Sequence, residues 1–370
     1  MSYKDLEDAK LKCFKQIISS SVRIYNTEPF SKSFKVVQKP EFTRIVNRPY
    51  EYRVDEPFQT PERSQRVKEN INEFFNKIQG MIPNELYIGV IRKINSTKVR
   101  RGFSEATWKE KRNFLLGTAG VSYGDSIFVT GGKETLFHEM LHSITTYQEG
   151  YWLDKETFVE KYYSGFRQVV RTYDERTKKW DSDYSNVFAV GLNEGMTEKL
   201  AADLAGGKRE AYKLECNVLD VIELIVGKDR LRELYFKCDL QTLSNMIDPS
   251  DDKSEFRYFI SLLDYINTEN NSFNGILNPK AISRVNKTYR LIGKYLTKQF
   301  SQMLIREYTT YLMDGLNPEE IYRRQQEEIN QFYNLMNKKV DGRRLGDKET
   351  LQELRKNLKI NFQDTNARSR

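Results

Sequence analysis

The sequence predicts an α+β protein in which a small mixed sheet and one helix precede position 150 and a mostly helical lobe comes after it. Three observations carry that expectation. Runs rich in β-formers fall at Glu85–Arg92, Phe114–Ser122 and Ser126–Thr130, all in the first part. Apolar residues recur at helical spacing through most of the chain beyond position 150. With 22 Tyr and 21 Phe among 370 residues, the chain has the aromatic surface to bury a core in one large domain or two lobes.

Residues 1–80 read as a helical and extended N-terminal segment. An amphipathic helix is expected over about Tyr3–Ile18, and Pro40, Pro49, Pro57 and Pro61 exclude a long helix after it. Thr60 then caps a helix with Pro61 at its first position. Val67, Ile71, Phe74, Phe75 and Ile78 form its apolar stripe, and it ends near Gly80. Residues 81–150 form the α/β lobe, with a tight turn at Tyr123-Gly124-Asp125 between two strands. Gly131 and Gly132 break the second strand, and a helix runs from Lys133 to about position 147. Residues 151–340 read as helical. Phe256, Phe259, Ile260 and Leu263 mark one buried face; Ile282, Val285, Tyr289, Ile292 and Leu296 mark another. Residues 341–370 form a basic tail, expected to be flexible.

Composition removes several function classes. No apolar run reaches the roughly 18–20 residues of a membrane span. Lys and Asp/Glu interleave through the first twenty residues, so no cleaved leader is expected there. Cys13, Cys216 and Cys238 form neither a disulfide framework nor a CxxC site. The expected compartment is a reducing cytoplasm, with leaderless export the alternative. The net charge is +8, and from Lys338 onward ten Lys/Arg face five Asp/Glu. Elsewhere the signs alternate, as on solvated helix faces, which argues against a nucleic-acid partner. No P-loop, dinucleotide fingerprint or serine nucleophile elbow is present. No sequence feature specifies an oligomeric state.

The chain has two histidines, and they stand in His138-Glu139-Met140-Leu141-His142. Four residues is slightly more than one helical turn, so both imidazoles project from one face and can grip one Zn²⁺. Glu139 is rotated about 100° from His138, outside the metal's reach but able to take a proton from water activated there. Two histidines placed at random fall four apart in roughly one arrangement in 190. That rarity favours a metal site over core filling. A catalytic zinc takes three protein ligands and keeps one position open. With no further His, the third ligand is expected to be a carboxylate. The segment Asn193-Glu194-Gly195-Met196-Thr197-Glu198 opens a second helix near Asn193 and puts Glu194 and Glu198 on one face. Either acid can serve on spacing alone. Cys216 is the alternative as a thiolate, although a lone Cys in a helix is commonly a buried small hydrophobe.

The HExxH followed by Asn193-Glu194 and Thr197-Glu198 resembles the gluzincin, thermolysin-like branch of the zincin metallopeptidases, over roughly residues 85–205. The resemblance implies a zincin-like fold, one zinc per chain and a protein or peptide substrate. It implies His138, His142 and Glu194 as ligands, Glu139 as general base and acid, and Glu198 as acceptor for a ligand histidine's N–H. It also makes Ser126–Thr130 the edge strand that pairs an extended substrate, through Ile127 and Val129. Two departures stand out. The 52 positions from His142 to Glu194 exceed the thermolysin-type gap, and no third His is present to stabilise an oxyanion. Tyr212 is the first nominee for that role; Tyr147, Tyr151, Tyr184 and Arg167 are others. The expected function is a zinc-dependent peptidase. The alternative is a metal-stabilised regulatory or protein-binding module with little general proteolysis.

Overall fold

A computed structural model describes residues 61–96, 98–100, 120–123, 126–129, 131–180, 187–209, 211–272, 279–346 and 352. The helix expected over Tyr3–Ile18, the proline-punctuated chain after it and most of the basic tail lie outside them. The architecture is α+β. The chain divides into two compact units, Met1–Glu210 with Arg232–Leu240, and Ala211–Leu231 with Gln241–Arg370.

The first unit opens with helix α1, Pro61–Ile78, whose Ile71, Phe74 and Ile78 are fully buried. Proline at its first position preorganises φ where no helical N–H is needed. The β-rich run at Glu85–Arg92 is not a strand: a 3₁₀ turn, Asn84–Leu86, leads into α2, Tyr87–Ser96. Its β-branched residues trace a helical stripe. Val90 and Ile94, four apart, are buried, while Ile88 is 62% exposed. Burial of that stripe overrides local strand propensity.

Three short strands come next, β1 (Lys98–Arg100), β2 (Gly120–Tyr123) and β3 (Ser126–Val129), in the order β1-β3-β2. β2 and β3 are antiparallel, with Tyr123 opposite Ser126, and β1 is parallel to β3. The strand Ser126–Val129 is therefore interior to its sheet and not an edge. β1 flanks it on one side from Ser126 to Phe128, and β2 on the other along its whole length. Ile127 is fully buried.

Helix α3, Lys133–Thr145, carries the HExxH and packs on α2, β2 and β3. It stops two residues short of the expected end. The hydroxyls of Thr145 and Thr146 donate to the carbonyls of Leu141 and His142, and Thr146 is already extended.

The stretch after 145, read as helical from the sequence, is a five-stranded antiparallel sheet up to Phe188. Its strands are β4 (Thr146–Trp152), β5 (Thr157–Ser164), β6 (Arg167–Asp174), β7 (Lys179–Trp180) and β8 (Val187–Phe188). Asp residues close two of its turns. Asp154 accepts the N–H groups of Glu156 and Thr157, and Asp174 those of Arg176 and Thr177. β5 and β6 are joined by Gly165 and Phe166 alone, with Gly165 at φ 55°. Helix α4, Val190–Ala205, then packs on α3. It starts one turn earlier than expected, from a left-handed Ala189.

In the second unit, α5 (Lys213–Val226) packs on α9 (Pro279–Met313) and α10 (Pro318–Asn337). Between them in sequence lie α6 (Lys228–Phe236), whose second half belongs to the first unit, α7 (Leu240–Ile247) and α8 (Ser254–Ser272). The predicted faces are buried except at one position: Phe256, Phe259, Ile260 and Leu263 on α8 and Val285, Tyr289, Ile292 and Leu296 on α9 are buried, whereas Ile282, in the first turn of α9, is 39% exposed. Phe300 and Phe332 stack 4.1 Å apart between α9 and α10.

Further along the same helix pair, the Glu307 and Glu328 carboxyls hydrogen-bond to each other. Burial first, then the facing Glu328 carboxylate, push Glu307 up to about 7; burial also raises Glu328. Arg306 partly offsets this, and Tyr311 and Arg324 lie close by. A carboxyl whose folded pKa exceeds its unfolded value binds its proton more tightly when folded. Its contribution to stability is therefore lost as pH rises from about 4.5 to about 7. Glu307→Gln should remove that loss. In urea unfolding between pH 5 and 8, the variant should gain on the wild type as pH rises, and parallel curves would contradict the shared proton.

Candidate metal centre

Two helices bring the donors together. On α3, a buried apolar side formed by Leu136, Phe137, Met140, Leu141 and Ile144 fixes the helix's rotation, which turns His138 and His142 toward α4. On α4, Leu192, Met196 and Leu200 are buried, and Glu194 and Glu198 project from one side toward α3. The imidazole rings lie 4.7 Å apart at 75°.

Nε2 of His138 and Nε2 of His142 are 3.0 Å apart, and each lies near Oε2 of Glu194, at 3.2 and 3.3 Å. With Glu194 ionised, no placement of the imidazole protons makes all three of these contacts hydrogen bonds. If both imidazoles donate to Glu194, two N–H groups crowd together with no acceptor between them. A cation does satisfy it. Donors about 2.0–2.1 Å from a tetrahedral metal are about 3.3 Å from one another, close to the observed edges. Among the described residues these three donors form the one cluster able to hold a metal ion.

Electrostatics point the same way. Burial opposes charge on His138, but the Glu194 and Glu198 carboxylates outweigh it and push the imidazole up to about 10. Burial likewise opposes charge on Glu194, yet the two imidazoles hold it well below the ordinary carboxylate range. The cluster is thus built around positive charge, supplied either by a proton or by a metal ion.

The groups around the donors are also placed. Nδ1 of His138 is 3.2 Å from Oε2 of Glu198, the contact expected of an acceptor that orients a ligand histidine. Glu139 is buried, and one of its oxygens accepts the Ser122 N–H from β2. Burial raises its pKa, partly offset by His142 and His138. Among the described residues β2, and not Ser126–Val129, has a side that pairs with no strand, and the Ser122 N–H of β2 is given to Glu139.

Cys216 is buried in α5 in the second unit and is not in the cluster. Tyr212, with φ 46°, is the residue before α5 in that same unit. Tyr147, Tyr151 and Arg167 lie on β4 and β6 of the first unit, and Tyr184 falls outside the described residues.

Three residues absent from the sequence-based site surround it. Asn193 is 0% exposed; its Oδ1 accepts the Phe166 N–H, and its Nδ2 is 3.4 Å from Nδ1 of His142. Thr197, also 0% exposed, donates to the Asn193 carbonyl and lies 2.8 Å from the Tyr235 hydroxyl. Gly165 makes the close approach possible, since a Cβ there would strike both Asn193 Oδ1 and the Tyr235 ring. The Gly165-Phe166 turn has a readable signal, a glycine between two stretches rich in strand formers; Tyr235 has none.

Gly165→Ala should therefore cost about 1–3 kcal/mol of stability, from left-handed strain and overpacking. It should also weaken divalent-cation binding through Asn193. Urea unfolding and metal titration check both, and wild-type values in each would contradict the account.

No protein-family model, curated protein or solved structure matches the chain.

Proposed function

We propose that the chain is a zinc-dependent peptidase of zincin type, acting on a protein or peptide substrate. The observation that carries this reading is the His138–His142–Glu194 triangle with Glu139 buried beside it. A His₂Glu donor set at tetrahedral spacing favours Zn²⁺. Among the described residues three donors converge, the number a catalytic site uses when one position is left for water or substrate.

Bound there, zinc would supply a Lewis acid that polarises a peptide carbonyl and makes water nucleophilic near neutral pH. Glu139 accepts the proton of the attacking water at its carboxylate and returns it to the leaving amine. The Ser122 N–H fixes the carboxylate's orientation, while burial makes it a stronger base. Glu198, accepting from Nδ1 of His138, keeps that imidazole's Nε2 free of its proton on the side of the donor cluster. An extended substrate lies beside β2, next to Glu139, in place of the Ile127 and Val129 strand, with the Ser122 N–H kept by Glu139.

Glu139→Gln should bind zinc like the wild type and lose hydrolysis of a fluorogenic peptide library by about 10²–10⁴-fold. Turnover close to that of the wild type would remove Glu139 as the base. Wild-type hydrolysis that survives chelation would remove the metal reading altogether.

A further inference from the structure

We infer that Tyr235 is a positioning residue for the metal centre, a cross-brace whose hydroxyl ties both ligand helices together. The inference rests on the metal reading above. Tyr235 belongs to the first unit although it lies well beyond the ligand motifs in sequence, and it is fully buried. Its hydroxyl is 2.8 Å from Thr197 Oγ1 on α4 and also hydrogen-bonds the Thr145 side chain at the end of α3. A phenol donates once and can accept as well, so the hydroxyl serves both helices when it donates to one threonine and the other turns its proton to Tyr235 instead of to its own helix carbonyl.

Each threonine relays the brace toward a ligand. Thr197 donates to the Asn193 carbonyl, one residue before Glu194, and Asn193 itself reaches His142. Thr145 turns its hydroxyl to the Leu141 carbonyl, one residue before His142. The ring completes the arrangement. It packs edge-on against Phe166 at 5.6 Å and against Gly165, the turn whose Phe166 N–H holds Asn193. Thr145 is held from a third side, because Cys238 Sγ donates to its carbonyl at 3.0 Å. The segment Tyr235–Cys238 thus contacts the C-terminal end of α3 at Thr145 and the middle of α4 at Thr197. Donors must sit within a few tenths of an ångström of tetrahedral spacing, so small slips of one helix against the other move them out of range.

The test compares Tyr235→Phe with Tyr289→Phe. The second substitution removes an equally buried tyrosine hydroxyl, hydrogen-bonded to Asn217 at 2.9 Å in the second unit. Both variants lose a comparable hydrogen bond, but only the first lies on the brace. Full-length protein is loaded with Co²⁺ for its visible spectrum and titrated with Zn²⁺ against a chromogenic chelator. Tyr235→Phe should weaken Zn²⁺ by about 10–100-fold and alter the Co²⁺ bands, whereas Tyr289→Phe should leave both unchanged. If both variants lose stability alike and both keep wild-type spectra and affinity, Tyr235 is only structural and the inference fails. A wild-type protein that binds neither Co²⁺ nor Zn²⁺ overturns the metal reading itself, which separates the two failures.

Discussion

The first unit is organised by the cost of burying charge between α3 and α4. Glu139 and Glu198 are buried there with His138, and Glu194 lies against both imidazoles, all amid Leu136, Met140, Leu192 and Met196. Carboxylates in such surroundings cost several kcal/mol each unless paired with positive charge. Replacing the set by apolar side chains would make a simpler helix pair. The set's nitrogens and one oxygen converge at 3.0–3.3 Å, a cluster that could hold a metal ion.

The surrounding elements are consequences of holding that geometry. β2 gives Glu139 a main-chain donor, the Gly165-Phe166 turn grips Asn193, and Tyr235 spans Thr145 and Thr197. None of these contacts comes from the helices that carry the donors. The antiparallel sheet between His142 and Glu194 therefore has a definite use: it delivers the Gly165-Phe166 turn to the helix pair, which accounts for the long gap between the ligand motifs. The helical second unit has its own core, and the shared proton of Glu307 and Glu328 is its counterpart of a buried charge managed by pairing.

Much of the centre was legible in the sequence because helical spacing is rigid. His138 and His142 four apart, and Glu194 and Glu198 four apart, fix which side chains share a face before any tertiary contact forms. The α1 stripe and the buried faces of α8 and α9 come from the same period. Legibility failed where period and burial part company. The run around Val90 and Ile94 is rich in strand formers, and only its packing reveals a helix. In β5 a lysine, Lys161, occupies the buried side with its ammonium over the Tyr151 ring, so apolar alternation is masked. The order of three short strands, which moves the free edge from Ser126–Val129 to Gly120–Tyr123, is set by pairing between distant segments. So is the approach of Tyr235, which no local pattern announces.

The most direct measurement is the zinc content of the purified protein, by elemental analysis, for the wild type, Glu194→Ala and Glu198→Ala. One zinc per chain in the wild type, none in Glu194→Ala and metal retained with lower affinity in Glu198→Ala is the predicted outcome. Zinc kept at full stoichiometry without Glu194, or absent from the wild type under zinc-replete conditions, would contradict it.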